Sequence, residues 1–187
     1  MTTIIFAHPW QGSFNKSILD KVIKTLQNRG ENYQLIDLNG DNFNPVMTSA
    51  DLALYSQGKY ADRLVGKYQK MLAESDGLVL IFPIWWGTAP AILKGFFDKV
   101  LLCGFAFSYE NGWTPLLKIN KATVITTSES PTDLFRLPIE QHFIPSMLES
   151  VGINNAVWLN CDQTAHGSDE HRQNFLQKVA ESIANHG

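Results

Sequence analysis

The chain has 187 residues, of which 44% are hydrophobic and 18% charged, a composition typical of a folded protein rather than a disordered one. The length predicts one domain that spans residues 1–187. The net charge of −3 excludes the strongly basic surface of a nucleic-acid-binding protein. Two cysteines are too few for a fold that depends on disulfides.

The sequence also lacks the patterns of exported and membrane proteins. The N-terminus shows no signal-peptide pattern. The longest uncharged run, 77–93, is interrupted by proline and glycine and is too short to cross a bilayer. We therefore expect a cytoplasmic protein that does not insert into a membrane.

Short runs rich in β-branched residues predict the strands. Three runs show little polar alternation, as expected for parallel strands that helices cover on both faces; they are Thr3–Ala7, Gly77–Phe82 and Ala122–Thr127. Two more mixed runs suit the edges of a sheet, namely Tyr33–Leu38 and Ala156–Leu159.

Helical patterns lie between these strands. Apolar residues recur with a period of 3.6 residues in the stretches Ile18–Leu26, Ile92–Leu101 and Phe175–Ile183. Gly30 and Gly152 stand where helices should stop. The longest stretch without a clear pattern is Asn39–Lys59. The alternation of five strands with helices predicts an α/β fold, a doubly wound open parallel sheet.

In such a sheet ligands bind outside the carboxyl ends of the strands, where the strand order reverses. Three loops should converge there, namely His8–Asn15, Pro83–Pro90 and Thr127–Arg136. The first loop ends in Ser13 and Asn15, where free N–H groups and the helix dipole favour an anion such as phosphate. The same two residues could instead cap the helix, and the residues alone leave both interpretations open.

The second and third loops have different chemistry. Trp85 and Trp86 directly follow a buried strand, and Gly87 permits close approach of a ligand to the backbone. We interpret this pair as an apolar wall with N–H donors for a planar heterocycle, although one of the two rings could simply pack beneath a turn. Ser128 and Glu129 suit hydrogen bonding to the edge of a ring, or an ordinary solvated connection.

Several other chemistries lack their signatures. Neither cysteine is followed by an arginine six positions later, as a tyrosine-phosphatase loop requires, and the G-x-S-x-G turn of α/β-hydrolases is missing. The glycine patterns of dinucleotide-binding and P-loop proteins are also missing. The stretch Cys161–His171 is rich in potential metal ligands, but their spacing fits no zinc pattern. We therefore predict a solvated loop there and no metal site.

Three stretches carry a resemblance to a known family. They are Ala7-His8 with Ser13-Phe14-Asn15, the segment Phe82–Phe97, and Gly104–Tyr109, with weaker matches at Thr126-Thr127 and Phe43–Val46. The chain resembles the NAD(P)H:quinone oxidoreductase family of flavodoxin-like flavoproteins, which includes DT-diaphorase and the modulator of drug activity proteins. The match extends from residue 3 to about residue 127, and the remainder is compatible in pattern.

The resemblance implies a flavodoxin-like five-stranded sheet of order 2-1-3-4-5 with helices on both faces. It implies FAD, or alternatively FMN, with NAD(P)H as the hydride donor. The implied cofactor-binding residues are His8, Ser13, Phe14, Asn15, Pro83, Ile84, Trp85, Trp86, Gly87, Thr126, Thr127, Ser128 and Glu129.

The resemblance also implies a homodimer with a shared active site. Trp86 would line the substrate pocket, and Phe107 and Tyr109 of each subunit would line the pocket of the other. From the residues alone, the alternation of Phe105, Phe107 and Tyr109 could equally mark a core strand.

The chain departs from the family in the third loop. Mammalian members have Gly-Gly where this chain has Ser128-Glu129, and the tyrosine and histidine that follow in those members have no counterpart in register. Arg136 is one candidate for a cation near the ring, and a solvated surface position is the interpretation that we favour.

The function implied by the resemblance is two-electron, ping-pong reduction of quinones or similar electron-poor aromatics by NAD(P)H. We assign no catalytic side chain, because N5 of the flavin would carry the hydride. The alternatives are a redox-sensing regulatory subunit, a flavin-bound electron carrier, and an azo-, nitro- or flavin reductase.

Overall fold

The computed structural model describes residues 1–185, so the last two residues of the predicted domain, 186–187, lie outside the described residues. Five parallel strands form one sheet, in which the bounds are β1 (Thr2–Phe6), β2 (Tyr33–Asp37), β3 (Gly77–Pro83), β4 (Lys121–Thr127) and β5 (Ala156–Cys161). Their order is β2-β1-β3-β4-β5. This order confirms the predicted 2-1-3-4-5 sheet and the two predicted edge strands.

Five α-helices connect and cover the strands. Their bounds are α1 (Phe14–Asn28), α2 (Ser49–Tyr55), α3 (Arg63–Ala73), α4 (Ala91–Val100) and α5 (Asp169–Asn185). Helices α1 and α5 pack on one face of the sheet, and α3 and α4 pack on the other. The sheet is therefore doubly wound, as predicted.

The three central strands are apolar because both of their faces are covered. In β1, Ile4 and Phe6 point towards α1 and α5, whereas Ile5 points towards the opposite helical layer. Every residue of β1 and β3 is buried. Polar side chains within these strands must therefore find partners inside the protein, as Thr3 does with Gln34.

The stretch Asn39–Lys59 was predicted to be irregular, and this prediction was wrong for Ser49–Tyr55, which forms helix α2. Helix α2 begins there with a capping box, in which Thr48 accepts from the Asp51 N–H while the Asp51 carboxylate accepts from the Thr48 N–H. The Thr-x-x-Asp spacing is the sequence signal for that helix start. Only a seven-residue helix follows, which is too short to show a clear apolar period.

A buried lysine ties this excursion to helix α4. Lys99 is 4% exposed, and its Nζ donates to the Asn44 carbonyl oxygen at 3.0 Å. The same Nζ lies 3.5 Å from an oxygen of Asp51 and 3.8 Å from one of Asp62. The two carboxylates compensate the buried charge, which would otherwise be costly to remove from water.

The chain between β4 and β5 forms a helical segment, of which the sequence analysis predicted only the end at Gly152. It is a wide, π-type helix over Arg136–Leu148 with Pro145 inside it, where a missing N–H prevents regular α-helical bonding. Its inner side places Phe143 against Phe82 and Phe97.

The alternative of a core strand at 105–109 is not found. Phe107–Ser108 pairs with Thr114–Pro115 in a small two-stranded hairpin outside the main sheet, and Phe107 makes one isolated bridge to Cys103. Within residues 1–185, no helix is long and apolar enough to cross a membrane.

Gly30 and Gly152 confirm the predicted helix stops and offer a matched pair for a stability test. Both have positive φ, 68° and 95°, and both follow a helical turn with the same 6→1 bond, Glu31 N–H to Leu26 O and Ile153 N–H to Leu148 O. They differ in space, because a Cβ at Gly152 would collide with the Leu117 carbonyl oxygen and one at Gly30 would meet nothing.

We predict that Gly30→Ala lowers the free energy of unfolding by about 1 kcal/mol, the cost of the left-handed backbone. Gly152→Ala should lower it by about 3 kcal/mol, because the steric clash adds to that cost. Urea denaturation followed by circular dichroism measures both. Equal losses would contradict the prediction and would mean that the Leu117 backbone moves freely.

Candidate cofactor site at the carboxyl edge of the sheet

A cavity of about 400 Å³ opens at the carboxyl edge of the sheet, beside the ends of β1, β3 and β4. The three loops that were expected to converge do meet here. The predicted residues that line the cavity are His8, Ser13, Phe14, Asn15, Pro83, Ile84, Trp85, Thr127, Ser128 and Glu129. Among the described residues of the lining there is no lysine or arginine.

Three of the predicted cofactor-binding residues do not line this cavity. Trp86 and Gly87 lie on the adjoining turn, outside the lining. Thr126 is fully buried, and its hydroxyl is bonded to Trp158 and Asn160 on the side of β4 away from the cavity. Because side chains alternate along a strand, only its neighbour Thr127 faces the cavity.

The sequence analysis missed three residues of the lining, namely Trp10, Thr164 and Ala165. Trp10 lies inside the first predicted loop and its aromatic ring was an available signal. Thr164 and Ala165 follow the edge strand β5, in a stretch that was interpreted only as a solvated loop.

The start of α1 combines a helix cap with unpaired polar groups. Ser13 is the N-cap, and its hydroxyl oxygen accepts from the Lys16 N–H at 3.2 Å, so the capping interpretation is confirmed for Ser13. Asn15 is 3% exposed; its Nδ2 donates to the Thr127 hydroxyl at 2.8 Å, while its Oδ1 has no partner within the described chain. A buried acceptor without a donor is uncommon.

Backbone donors are also free at this helix start. Within residues 1–185, no hydrogen bond is made by the N–H groups of Gly12, Phe14 and Asn15. Such groups at a helix N-terminus, together with the helix dipole, favour an anion. The cavity therefore offers this end to a negatively charged group without using a cationic side chain.

His8 is held as a neutral donor at the same end. The Trp10 N–H donates to His8 Nδ1 at 3.1 Å, so the ring proton lies on Nε2. Partial burial lowers the pKa of His8. The His8 ring also lies edge-on to Trp85, with 6.1 Å between ring centroids.

The turn after β3 is tight and strained. Trp85 and Thr88 exchange both backbone hydrogen bonds, of 3.0 and 3.2 Å, so that Trp86 and Gly87 occupy a two-residue turn with φ of 52° and 80°. Two positive φ values are the type I′ pattern, which normally takes asparagine or glycine. The Trp86 side chain is fully exposed, and the N–H groups of Trp86 and Gly87 are free within the described chain.

Glu129 connects the third loop to the loop after β5. Its carboxylate accepts from the Ala165 N–H at 2.9 Å and contacts His166 Nδ1 at 2.6 Å. These hydrogen bonds, first the one from Ala165, lower the pKa of Glu129. The Glu129 N–H makes no hydrogen bond within the part of the chain that the structure describes, so it is a further free donor at the cavity.

Phe107 and Tyr109 lie elsewhere, in a second cavity of about 460 Å³ that we call the aromatic cleft. Phe107 stacks on Trp113 with 4.2 Å between centroids, and Tyr109 lies edge-on to both rings. Met47, Leu52 and Tyr55 of the 39–59 excursion complete its wall. No residue lines both cavities.

Arg136 lies on the surface, where it is paired with Asp133 at 3.0 Å and with Glu140 at 3.1 Å. Hydrogen bonds to these carboxylates raise the pKa of its guanidinium. Arg136 does not line the cavity, so the favoured interpretation of a surface position is confirmed.

In the Cys161–His171 stretch, Cys161 Sγ lies 3.6 Å from His171 Nε2. Burial raises the pKa of the Cys161 thiol to about 11, so the thiol stays protonated at neutral pH. Among the described residues no group of three potential ligands could hold a metal ion.

Two relatives that the chain resembles in sequence are both described as NAD(P)H oxidoreductases. The chain is 37% identical over 119 residues to an NAD(P)H oxidoreductase of Haemophilus influenzae, a match that covers 63% of this chain and 58% of that protein. It is 27% identical over 187 residues to the NAD(P)H oxidoreductase YcaK of Escherichia coli, covering 96% and 93% of the two chains. The chain thus spans little more than half the length of the Haemophilus protein.

A solved structure agrees in its architecture. The NAD(P)H:quinone oxidoreductase of Methanothermobacter marburgensis superimposes with a TM-score of 0.88 and 26% identity, covering 98% of this chain and 97% of that one. The family model described as flavodoxin-like fold matches residues 1–186. The order of the strands and the cavity at their carboxyl ends agree with that match, and the chain belongs to this flavodoxin-like family.

Proposed function

We propose that this protein binds a flavin in the cavity and acts as an NAD(P)H oxidoreductase on quinones or similar electron-poor aromatics. The names of its relatives support the activity. The observation that carries the cofactor is the buried, unpaired Oδ1 of Asn15, on a helix start whose N–H groups at Gly12, Phe14 and Asn15 are also free within the described chain. A flavin fits this donor set, because its ribityl hydroxyls can donate to Asn15 and its phosphate can accept from the helix start.

The residues of the first loop would hold the phosphate end. The free N–H groups of Gly12, Phe14 and Asn15 are its donors, and Nε2 of neutral His8 is a further one. The dipole of α1 adds about 0.3–1 kcal/mol per charge. FAD remains the proposed cofactor on the resemblance of this loop, and FMN is the alternative.

The residues of the other two loops would hold the ring. Pro83, Ile84 and Trp85 form an apolar wall, and the N–H groups of Trp86, Gly87 and Glu129 are free donors near it. A bound flavin supplies hydride transfer between NAD(P)H and the acceptor. The donors stabilise negative charge that develops on the ring, an effect that grows as water is excluded.

We also propose a homodimer in which two copies complete each other's site. Each chain exposes the Trp86 side chain on its strained turn, which we call the aromatic knob. Each chain also exposes the aromatic cleft, in which the side chains of Tyr109 and Trp113 are at least half exposed to solvent. A two-fold axis would let each knob meet the cleft of the other copy, because a self-complementary interface pairs two different patches twice. Phe107 and Tyr109 would then serve the partner's cavity. A single domain and a cytoplasmic location remain predictions.

The cofactor is tested by titrating the apoprotein with FAD and FMN and following the quenching of flavin fluorescence. We predict that Asn15→Leu weakens binding by about tenfold or more, because a buried polar contact to the ligand and the bond to Thr127 are both lost. Asn28→Leu, at the exposed end of α1, is the control and should bind normally. A wild-type protein that binds neither flavin would contradict the proposal.

The activity is tested on the flavin-loaded protein without oxygen. We predict that NADH or NADPH bleaches the flavin absorbance and that a quinone restores it. The reason is that the nicotinamide ring and the quinone are both flat and would occupy the same space beside the flavin ring in turn. A flavin that binds but is not bleached would contradict the enzyme and support the electron carrier. Recovery with azo or nitro compounds but not with quinones would overturn the acceptor class.

The shared site is tested by mixing two variants, Asn15→Leu and Tyr109→Ala, at a flavin concentration at which neither variant alone shows activity. In a mixed dimer, one of the two sites combines an intact cavity with an intact cleft, so random exchange should restore up to about one quarter of wild-type activity. If the cleft serves its own chain, mixed dimers contain no intact site and activity stays at zero. Leu137→Ala, which is exposed outside both cavities, is the active control. Native mass spectrometry confirms the exchange.

A further inference from the structure

A row of polar side chains on the edge strand supports the third loop of the cavity from outside. Its members are Trp158 and Asn160 of β5 and Asp162 directly after it, and we call these three the β5 ladder. They are alternate residues, so they point to the same side of the sheet. None of them lines the cavity.

Each member of the ladder binds a different part of the neighbouring chain. Trp158 Nε1 donates to the Thr126 hydroxyl at 2.8 Å. Asp162 accepts from the N–H and the hydroxyl of Thr132, at 3.1 and 2.9 Å. The ladder therefore contacts the carboxyl end of β4 and the third loop at Thr132.

Asn160 stands at the centre and uses both ends of its amide. Its Oδ1 accepts from the Thr126 hydroxyl at 2.8 Å. Its Nδ2 donates to the hydroxyls of Ser128 and Thr132, at 2.9 and 3.0 Å. One side chain thus fixes the end of β4 and both ends of the segment Ser128–Thr132.

Further bonds hold the start of this segment. Thr127, directly before it, accepts from Asn15 Nδ2 of α1, and the Ser128 N–H donates to the carbonyl oxygen of Cys161 in β5 at 2.9 Å. Between these anchors lies Glu129, whose N–H is free within residues 1–185. The peptide unit that carries this N–H is also held by Thr164, whose N–H and hydroxyl donate to the Ser128 carbonyl oxygen at 3.1 and 2.8 Å. The direction of the free donor therefore depends on Thr164 together with the anchors at Ser128 and Thr132.

We infer that Asn160 is a positioning residue for the flavin: it holds Ser128 and Thr132 so that the cavity wall and the Glu129 N–H are preorganised. The inference rests on the proposed function. Preorganised loops bind more tightly, because less conformational freedom is lost when the ligand arrives. Asn160 acts through the loop and touches neither the cofactor nor a substrate.

The test compares Asn160→Leu with Asn154→Leu, a control just before the opposite end of the strand. Asn154 is exposed, and within residues 1–185 its side chain bonds only to the Gly152 carbonyl oxygen. We expect Asn160→Leu to raise the flavin dissociation constant about tenfold and to lower the reduction potential of the bound flavin. Asn154→Leu should change neither. Thermal unfolding of the apoproteins shows whether each variant is folded.

Thr132→Val supplies a second, milder variant, because it removes one hydroxyl and keeps the shape of the side chain. If both residues act through the same loop, their effects on the dissociation constant are not additive, and the double variant binds about as well as Asn160→Leu alone. Additive effects would overturn the inference, since they would mean independent structural losses.

Two failures are distinguishable. If the wild-type protein binds no flavin, the proposed function fails first. In the second case the wild-type protein binds flavin and both variants, Asn160→Leu and Thr132→Val, behave like it, with dissociation constants within twofold and reduction potentials within error. Asn160 is then only a structural residue of the edge strand, and the inference is overturned.

Discussion

Burial of the parallel strands on both faces is the constraint on which the rest of this molecule depends. The backbone groups of β1 and β3 are paired within the sheet, and their side chains are enclosed by two helical layers. Unpaired polar groups inside such a structure would be costly. Donors and acceptors for a ligand can therefore appear only where the strands end, and three loops bring them to one place.

The third loop shows how such a place is made rigid. Thr127 is bonded to α1 on one side of the sheet, and Thr126 is bonded to the β5 ladder on the other. Adjacent residues of one strand thus make contacts on the two opposite faces of the sheet. A wall that is fixed from both sides needs little reordering when a ligand binds, and this lowers the entropic cost of binding.

The molecule also carries features that folding by itself does not favour. Trp86 adopts a left-handed backbone that suits glycine or asparagine and leaves its ring in water. Asn15 buries an acceptor without a donor, and Phe107, Tyr109 and Trp113 form an open aromatic cleft. Local rules of this kind are commonly broken at functional sites.

The sequence by itself determined the parts that depend on local patterns. Runs of β-branched residues identify β1, β3 and β4, glycines mark the ends at Gly30 and Gly152, and the handedness of β-α-β connections brings the three loops together. Tertiary structure decided the rest. The register of β4 decides which of Thr126 and Thr127 faces the cavity. The pairing of the edge strand β5 with β4 brings Thr164 to the cavity lining. Contacts between residues that are distant in the chain produce no periodic pattern in the sequence, because they depend on how the sheet and the helical layers pack together.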